Sequence, residues 1–331
     1  MESKPYFDSL FLRRLRRIIT GVTRVKPLMS YKEISYTDEW HNMRGEEFQL
    51  YLQQRILDDK PLLLTRFGCG VILAAIDATN QPNIKNTLRY LLGYSDSLGV
   101  GYVTGCNLNA GDGFYPITQE NVLRYGQLIL DAIPKIDIIA SIIHQERYFE
   151  KELENKVRCT FPDLEPFQWK NPWTYALEGK KVLVIHPFAK TIEKQYLENR
   201  ENLFSDSKVL PFFELQTLRS VQPKMISDDP YDQYESWFDA FEFMKSEIKK
   251  RDFDVAILGC GAYGMPLSSY IFDLGKKAIH LGGGVQYLFG IRSARGDSLP
   301  EIAKHYNNFW VRPSEEERPS GFKKVEDGCY W

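Results

Sequence analysis

The sequence predicts an α/β fold in which a doubly wound, mostly parallel sheet carries helices on both faces, as in Rossmann-like proteins. Two observations predict it. Short apolar runs typical of buried strands alternate with segments of helical apolar spacing along most of the 331 residues. Two late strands, over 254–258 and 277–281, run directly into glycines, and such strand–glycine–helix junctions are typical of the carboxyl edge of a parallel sheet.

The first half of the chain supplies four helices and two strands around one polar loop. The elements predicted there are a strand over 61–67, an apolar helix that follows the 68–70 turn and runs to about 78, a helix over 83–92, a polar loop over 107–114 (NLNAGDGF), a helix over 118–132, a strand over 136–143 and a short helix over 145–154. Strands such as PLLLTRF are continuous apolar runs, as expected of strands that are covered on both faces.

The second half repeats the alternation of strands and helices. They are a strand over 181–185, a helix over 191–203, a strand over 212–220, an amphipathic helix over 231–251, a strand over 254–258, a helix over 265–274 and a strand over 277–281. We expect one α/β domain over 31–311. The proline-rich connection 161–173 is the candidate position for an internal boundary. A basic helical segment over 1–30 precedes it and a charged tail over 312–331 follows it.

Composition excludes several classes of protein. Hydrophobic residues make up 43% of the chain, enough for a full core, and the net charge of −2 provides no global field for nucleic acid. Five scattered cysteines without a C-x-x-C pair predict free thiols in a reducing cytosol. No apolar run is long enough to span a bilayer. We therefore expect a cytoplasmic protein with no nucleic-acid partner.

The two glycine junctions are the strongest candidate for a ligand site. The segment 254–264 (DVAILGCGAYG) contains G-x-G-x-x-G, with Gly259, Gly261 and Gly264, and the later junction contains Gly282, Gly283 and Gly284. Backbone N–H groups and helix N-termini at such junctions bind anions, which predicts a phosphate or diphosphate ligand. The alternative is that the glycines only permit a tight turn and close packing of helix on sheet.

The cofactor NAD is not predicted at this site. The dinucleotide-binding fingerprint requires an acidic residue at the tip of the next strand, about 20 positions on, to bind the ribose hydroxyls. Here the next strand ends His280-Leu281-Gly282, without an acid. His280 itself lies inside its strand, which favours a structural core role.

Arg66 ends the first strand, directly before a Gly-x-Gly turn formed by Gly68 and Gly70. A guanidinium at the carboxyl end of a strand is suited to bind phosphate or carboxylate. The alternative is an ordinary strand-terminal salt bridge.

Several short motifs together carry a family resemblance. They are RFG at 66–68, NAG at 109–111, VLVIHPF at 182–188, ILGCGAYG at 257–264, AIHLGGG at 278–284 and the terminal CYW. From about residue 60 onward the chain resembles bacterial proteins of surface-polysaccharide gene clusters and, more distantly, the GT-D class of glycosyltransferases. The resemblance implies sugar transfer from a nucleotide-sugar donor to a glycan or lipid-linked acceptor, with Gly68, Gly70 and Asn109 among the donor-binding residues.

The chain departs from the GT-D pattern at the metal motif. The motif R-F-G-D-G-E of that class supplies acidic ligands to a divalent cation, and the two acidic positions are Cys69 and Val71 here. Mg²⁺ and Mn²⁺ prefer oxygen ligands, so no metal site is predicted. The sequence therefore supports two hypotheses, a glycosyltransferase and a non-catalytic nucleotide-sugar-binding or scaffold protein.

Three residues are candidates for the chemical step. Asp112, in the predicted exposed loop, is a candidate general base towards the acceptor hydroxyl, unless it merely forms an Asp-Gly turn. His186, at the end of its strand, is a candidate base or phosphate contact, unless it is structural. Arg66 would offset the charge of the leaving group.

The N-terminal segment 7–22 (FDSLFLRRLRRIITGV) places an apolar stripe beside a basic one on a helix. Such a helix can lie on an anionic membrane surface at the inner face of the membrane. The alternative is that it packs on the domain or on another subunit.

Overall fold

The computed structural model describes residues 10–23, 34–35, 38–79, 84–93 and 102–331. Within them, seven strands form one all-parallel sheet in the order β3-β2-β1-β7-β6-β4-β5. The strands are β1 Leu62–Thr65, β2 Ile138–Ala140, β3 Val157–Cys159, β4 Lys181–His186, β5 Glu214–Arg219, β6 Val255–Leu258 and β7 Lys277–His280. The predicted doubly wound α/β fold is confirmed.

The α-helices of the described residues cover the sheet on both sides, and short 3₁₀ turns make many of the connections. The helices are α1 Leu10–Thr23, α2 Gly45–Leu57, α3 Cys69–Thr79, α4 Ile84–Leu91, α5 Tyr102–Asp112, α6 Gln119–Ala132, α7 Glu150–Leu153, α8 Ala189–Leu203, α9 Trp237–Lys249, α10 Gly264–Asp273, α11 Gly284–Leu288, α12 Ala294–Asp297 and α13 Pro300–Ala303. No helix among them is both long and apolar enough to cross a membrane.

Successive strand residues point to opposite faces, which divides the core into two layers. Leu63 packs with α3, α6, α9 and α10 on one face, whereas Leu62 and Leu64 pack with α2, α8 and α11 on the other. Each fully buried Leu or Val contributes about 1.5–3 kcal/mol relative to an exposed one. Burial on both faces explains why these strands are continuous apolar runs.

A crevice opens at the carboxyl edge between β1 and β7. These strands are hydrogen-bonded neighbours, but the chain leaves β1 for α3 on one face and leaves β7 for α11 on the other. Ligands of open α/β sheets bind where neighbouring connections diverge in this way. The fold therefore positions a binding site at the ends of β1 and β7.

Residues 107–114 correct the sequence-based expectation of a polar loop, because α5 runs through them to Asp112. The helix packs closely on α3: a Cβ at Gly70 would lie 2.8 Å from the backbone nitrogen of Leu108. Leu108 is also fully buried. Tertiary packing thus outweighs the low helix propensity of Asn and Gly in this segment.

Smaller differences concern element ends. The short strand β3 was not predicted, and α9 begins at Trp237 rather than at Tyr231, since Ser236 caps it by accepting a hydrogen bond from Asp239 N–H. The predicted N-terminal helix 7–22 is observed as α1 from Leu10, and its residues 7–9 lie outside the described residues.

The charged segment 312–331 packs onto the α/β unit. The carboxylate of Glu317 accepts hydrogen bonds from the Lys190 and Thr191 amides, at 2.7 and 3.0 Å, in the first turn of α8. These N–H groups have no partner within their own helix, so Glu317 caps α8. The capping holds the chain near the carboxyl edge of the sheet before its last fourteen residues.

Candidate functional site

A cavity of about 90 Å³ lies at the carboxyl edge, over the ends of β1, β4, β5, β6 and β7. The end of α5 and the segment 325–331 complete its walls. Of the residues selected from the sequence, it is lined by Arg66, Asp112, His186, Gly259, Gly261, Gly282 and Gly283. The fold therefore brings all three candidate catalytic residues and four of the candidate glycines to one cavity.

Arg66 extends from the end of β1 without an anionic partner in the part of the chain that the structure describes. It forms no ion pair there, and its Nε is buried without a hydrogen-bond acceptor. The side chain passes over Gly282, where a Cβ would lie 2.5 Å from that Nε. A buried donor without an acceptor costs about 1–3 kcal/mol. The guanidinium is therefore available to an anion, and it forms no strand-terminal salt bridge with the described residues.

Only two of the six junction glycines keep a free amide. The Gly259 and Gly282 N–H groups donate to the carbonyls of Ile185 and Leu258, at 2.9 and 3.1 Å. The Gly264 and Gly284 N–H groups also donate to backbone carbonyls. The Gly261 and Gly283 N–H groups make no hydrogen bond to the described residues. Of the amides expected to bind an anion at the two junctions, these two remain available. The helix α11 is too short to contribute a substantial dipole.

Three other candidate residues have mainly packing roles. A Cβ at Gly264 would collide with the His280 ring, and Gly70 allows α5 to approach α3. Asn109 donates through Nδ2 to the carbonyl of Phe114 at 2.8 Å, which fixes the end of α5. At Gly284 packing does not require a glycine, because an added Cβ would meet only Leu281, at 3.7 Å.

Asp112 is the last residue of α5 and is half-buried, which corrects the expectation of an exposed side chain in a free loop. Burial disfavours the charged carboxylate and raises its pKa to about 7, against the lowering effect of Arg66, while Glu326 raises it further. Gly68 and Gly261 make room for it: a Cβ at Gly68 would lie 3.3 Å from its Oδ1, and one at Gly261 would lie 2.6 Å from its carbonyl oxygen. A carboxyl group with this pKa is suited to gain and lose a proton near neutral pH.

His186 ends β4 and reaches the same cavity. Its Nδ1 accepts a hydrogen bond from the Phe188 N–H at 3.0 Å, and burial lowers its pKa to about 3. The ring is therefore neutral and carries its proton on Nε2, which is a donor. This tautomer fits a phosphate contact, the second of the two roles considered for it, better than a base.

His280 lies inside β7, as expected of a structural residue. Its Nδ1 is 3.0 Å from Thr65 Oγ1, and burial, together with Arg66, lowers its pKa to about 3.

The roof of the cavity was not found from the sequence. Val325, Tyr330 and Trp331 line it, and the carbonyl of Tyr330 accepts a hydrogen bond from Gln286 Nε2 at 2.9 Å. The indole Nε1 of Trp331 is buried without a partner among the described residues. An aromatic pair at the end of an otherwise charged tail was the available signal, because large aromatic side chains are seldom left in solvent.

An open groove of about 840 Å³ adjoins the cavity on its other side. The two spaces share Arg66, Gly111, Asp112 and Tyr330. Gly68, Gly70 and the charged residues Arg295, Lys324, Glu326 and Asp327 also line the groove, where Arg295 pairs with Glu326 at 2.7 Å. Arg66 and Asp112 thus lie between the cavity and the wider groove, where two parts of a substrate, or two substrates, can meet.

The residues of the β1 turn do not fit a divalent metal. Val71 is buried and offers no ligand atom, and no cluster of three or more His, Cys, Asp or Glu side chains with metal-binding geometry occurs in the described ranges. The cavity instead combines hydrogen-bond donors (the Arg66 guanidinium, the free amides, the His186 and Trp331 ring N–H groups) with one acidic side chain, Asp112, and two further acids, Glu326 and Asp327, line the adjoining groove.

Comparisons with known proteins return no relatives: no model of a protein family, no curated protein and no solved structure matches the chain significantly. The function is therefore argued from the site.

The diphosphate site predicted from the sequence is tested by replacing Gly283 with leucine, which is expected to abolish binding of a nucleoside diphosphate while the fold survives. A Cβ there would lie 3.3 Å from Cε1 of Tyr330, so a larger side chain would fill the cavity and shield the free amide. Isothermal titration with UDP and GDP measures the loss. Gly284→Ala is the matched control, because that Cβ meets only Leu281, at 3.7 Å. Unchanged affinity in Gly283→Leu would show that this glycine only serves packing.

Proposed function

We propose that the protein is a glycosyltransferase that uses a nucleotide-sugar donor, in surface-polysaccharide assembly. The observation that carries this proposal is Arg66, an unpaired guanidinium with a buried Nε, opposite Asp112, a carboxyl with a pKa of about 7. The guanidinium is suited to bind an anionic leaving group, and the carboxyl is suited to accept a proton. The resemblance of the sequence motifs to surface-polysaccharide proteins supports the same class.

In the proposed complex the donor diphosphate lies against Arg66, where the cavity and the groove meet. The N–H groups of Gly261 and Gly283 and the Nε2–H of His186 supply further donors around it. Hydrogen bonds from a guanidinium to phosphate are shorter and stronger than neutral ones. These donors need no reorganisation when negative charge develops on the leaving diphosphate, since they are held at the ends of β1, β4, β6 and β7.

The proposed chemical step joins an acceptor hydroxyl to the anomeric carbon of the sugar. The hydroxyl oxygen forms the new bond, the bond from the anomeric carbon to the diphosphate oxygen breaks, and its electron pair leaves with the nucleoside diphosphate. Asp112 Oδ accepts the proton of the hydroxyl, and Arg66 offsets the charge of the departing diphosphate. General base catalysis of this kind contributes roughly 10²–10⁴-fold in rate.

The alternative is a non-catalytic protein that binds nucleotide sugars. The observation favouring it is the first-strand turn, where Cys69 and Val71 occupy the acidic positions of the GT-D motif. Arg66 and the free amides would still bind the diphosphate in that case. Binding without turnover is its signature.

A thermal-shift screen of nucleoside diphosphates and nucleotide sugars, with and without Mn²⁺, tests the proposal first. Ligands that bind only the native state raise the unfolding temperature. A nucleotide sugar found in this way is then incubated with glycan or lipid-linked acceptors, and release of the nucleoside diphosphate is measured. Transfer supports the enzyme, and tight binding without transfer to any acceptor favours the binding protein. No shift with any nucleotide would contradict both.

Sugar transfer is expected to be largely insensitive to EDTA. Hard divalent cations require oxygen ligands, and the turn after β1 supplies only a thiol and an alkyl group at the relevant positions. Initial rates with EDTA and with added Mn²⁺ check this. Strict dependence on Mn²⁺ would mean that carboxylates elsewhere bind the ion, with Asp112 the first to examine.

A further inference from the structure

Helices α1 and α4 form a small unit, here called the helix pair, with an apolar cluster separate from the two that flank the sheet. Leu12 of α1 and Leu91 of α4 pack against Tyr90. The guanidinium of Arg16 lies 4.5 Å from the centre of the Tyr90 ring, within cation–π range. The two helices thus pack against each other through one face of each helix.

Large apolar side chains remain in solvent on the helix pair. Phe11 and Ile18 of α1 are 70% and 63% exposed, and Ile84 and Leu88 of α4 are 83% and 52% exposed. Residues seven apart, or four apart, lie on the same face of a helix. Each helix therefore presents an apolar stripe that its partner helix does not cover.

The charge of the helix pair has one sign. Its two helices contain six basic residues and no acidic residue, although the whole chain has a net charge of −2. Arg14 and Arg17 of α1 and Lys85 and Arg89 of α4 are exposed. Cations beside exposed apolar stripes are the composition of helices that lie in the headgroup region of anionic bilayers.

Two other occupants fit this surface less well. A second copy of the chain in a two-fold dimer would place the same basic patch against itself, with no acid in either helix to neutralise it. A nucleic acid would satisfy the cations through its phosphates, but it would leave Phe11, Ile18 and Ile84 in water. Only a surface that is both anionic and apolar satisfies both features.

We propose that the helix pair docks on a membrane that contains anionic lipids, with α4 contributing to the contact as well as α1. The apolar stripes enter the boundary between headgroups and acyl chains, while the basic residues remain at the level of the phosphates. This contact is independent of the carboxyl-edge cavity, so it does not rest on the proposed function.

Sedimentation of the full chain with lipid vesicles tests the proposal. The protein is expected to bind vesicles of phosphatidylcholine with phosphatidylglycerol and not vesicles of phosphatidylcholine alone. The double variant Arg14→Gln/Arg17→Gln should weaken binding roughly thirtyfold, at about 1 kcal/mol for each cation removed from an anionic surface. Phe11→Ser/Ile18→Ser and Ile84→Ser/Leu88→Ser should each weaken it roughly tenfold or more.

Matched controls keep the result specific. Leu197, on α8, is 72% exposed, and Leu197→Ser should bind vesicles as the natural sequence does. Lys249→Gln/Lys250→Gln, at the end of α9, removes two exposed cations elsewhere and should also have no effect. All the altered side chains are exposed, so unfolding temperatures should stay unchanged.

Three results would overturn the proposal. The first is equal binding to neutral and anionic vesicles, and the second is unchanged binding by all three helix-pair variants. The third is absence of binding to the anionic vesicles. A dimer, or an RNA complex, that the same variants disrupt would then identify the other occupant.

Discussion

Replacing Asp112 with asparagine is expected to slow sugar transfer by roughly 10²–10⁴-fold, the contribution of a positioned general base. Asparagine has the same shape and cannot accept the proton. The pH profile provides a second signature. Because burial raises the pKa of Asp112 to about 7, its base form is scarce at pH 5 and predominates at pH 8. The rate should therefore rise with pH through about 7 and then level off, and this rise should be absent in Asp112→Asn.

The control for Asp112 is an exposed aspartate away from the site. Asp59, in the turn before β1, is exposed, and Asp59→Asn should retain full activity and the natural pH profile. Nucleoside diphosphate affinity should survive in Asp112→Asn, since the donors to the diphosphate are other groups. Full transfer by Asp112→Asn would remove this residue from the chemical step. Loss of binding in that variant would make its role structural.

Replacing Arg66 with alanine is expected to weaken nucleotide-sugar binding roughly ten- to a hundredfold, because a hydrogen bond to a charged group contributes about 1.5–3 kcal/mol. Arg66→Lys keeps the charge but loses the planar fork, so its affinity should be intermediate. The ligand-free protein should behave differently. Arg66 has no ion pair in the described residues and a buried Nε without an acceptor, so Arg66→Ala should not lower the unfolding temperature.

This divergence of affinity and stability separates a ligand-binding arginine from a structural one. Arg251, which precedes the amino end of β6, is ion-paired with Glu247 and lines neither the cavity nor the groove. Arg251→Ala should leave nucleotide affinity unchanged. If Arg66→Ala unfolds at a markedly lower temperature with unchanged affinity, Arg66 serves the fold and the proposed site is wrong.

The sequence could predict the sheet and much of the candidate site, because both depend on local patterns. Apolar runs that end in Arg66, His186, Gly259 or Gly282 indicate parallel strands, and the carboxyl ends of parallel strands meet at one edge. That argument places Arg66 and Gly282, which are more than 200 residues apart in the chain, at the same edge. It does not predict that β1 and β7 are neighbours, which brings the Arg66 side chain over Gly282.

The remaining features depend on tertiary contacts that no local pattern reports. The segment NLNAGDG has the composition of a loop, but α5 forms there because Leu108 packs against Gly70. Because α5 ends at Asp112 inside the site, that side chain is partly buried, and burial raises its pKa to about 7. The roof formed by Tyr330 and Trp331 likewise depends on Gln286 and on the cap that Glu317 provides to α8. The spacing of residues in the sequence does not predict these distant contacts.

The walls of the cavity have a consequence for how the chain folds. Arg66 and Trp331 line the same cavity, although nearly the whole domain separates them in sequence. Contacts between residues so far apart form late in folding, because the entropic cost of closing the long loop between them must first be offset. The site is complete only when both halves of the sheet have assembled. A ligand at a hundred times its Kd would add about 2.7 kcal/mol to the stability of that state, so a bound nucleotide would act as a cross-link between the first strand and the last residues.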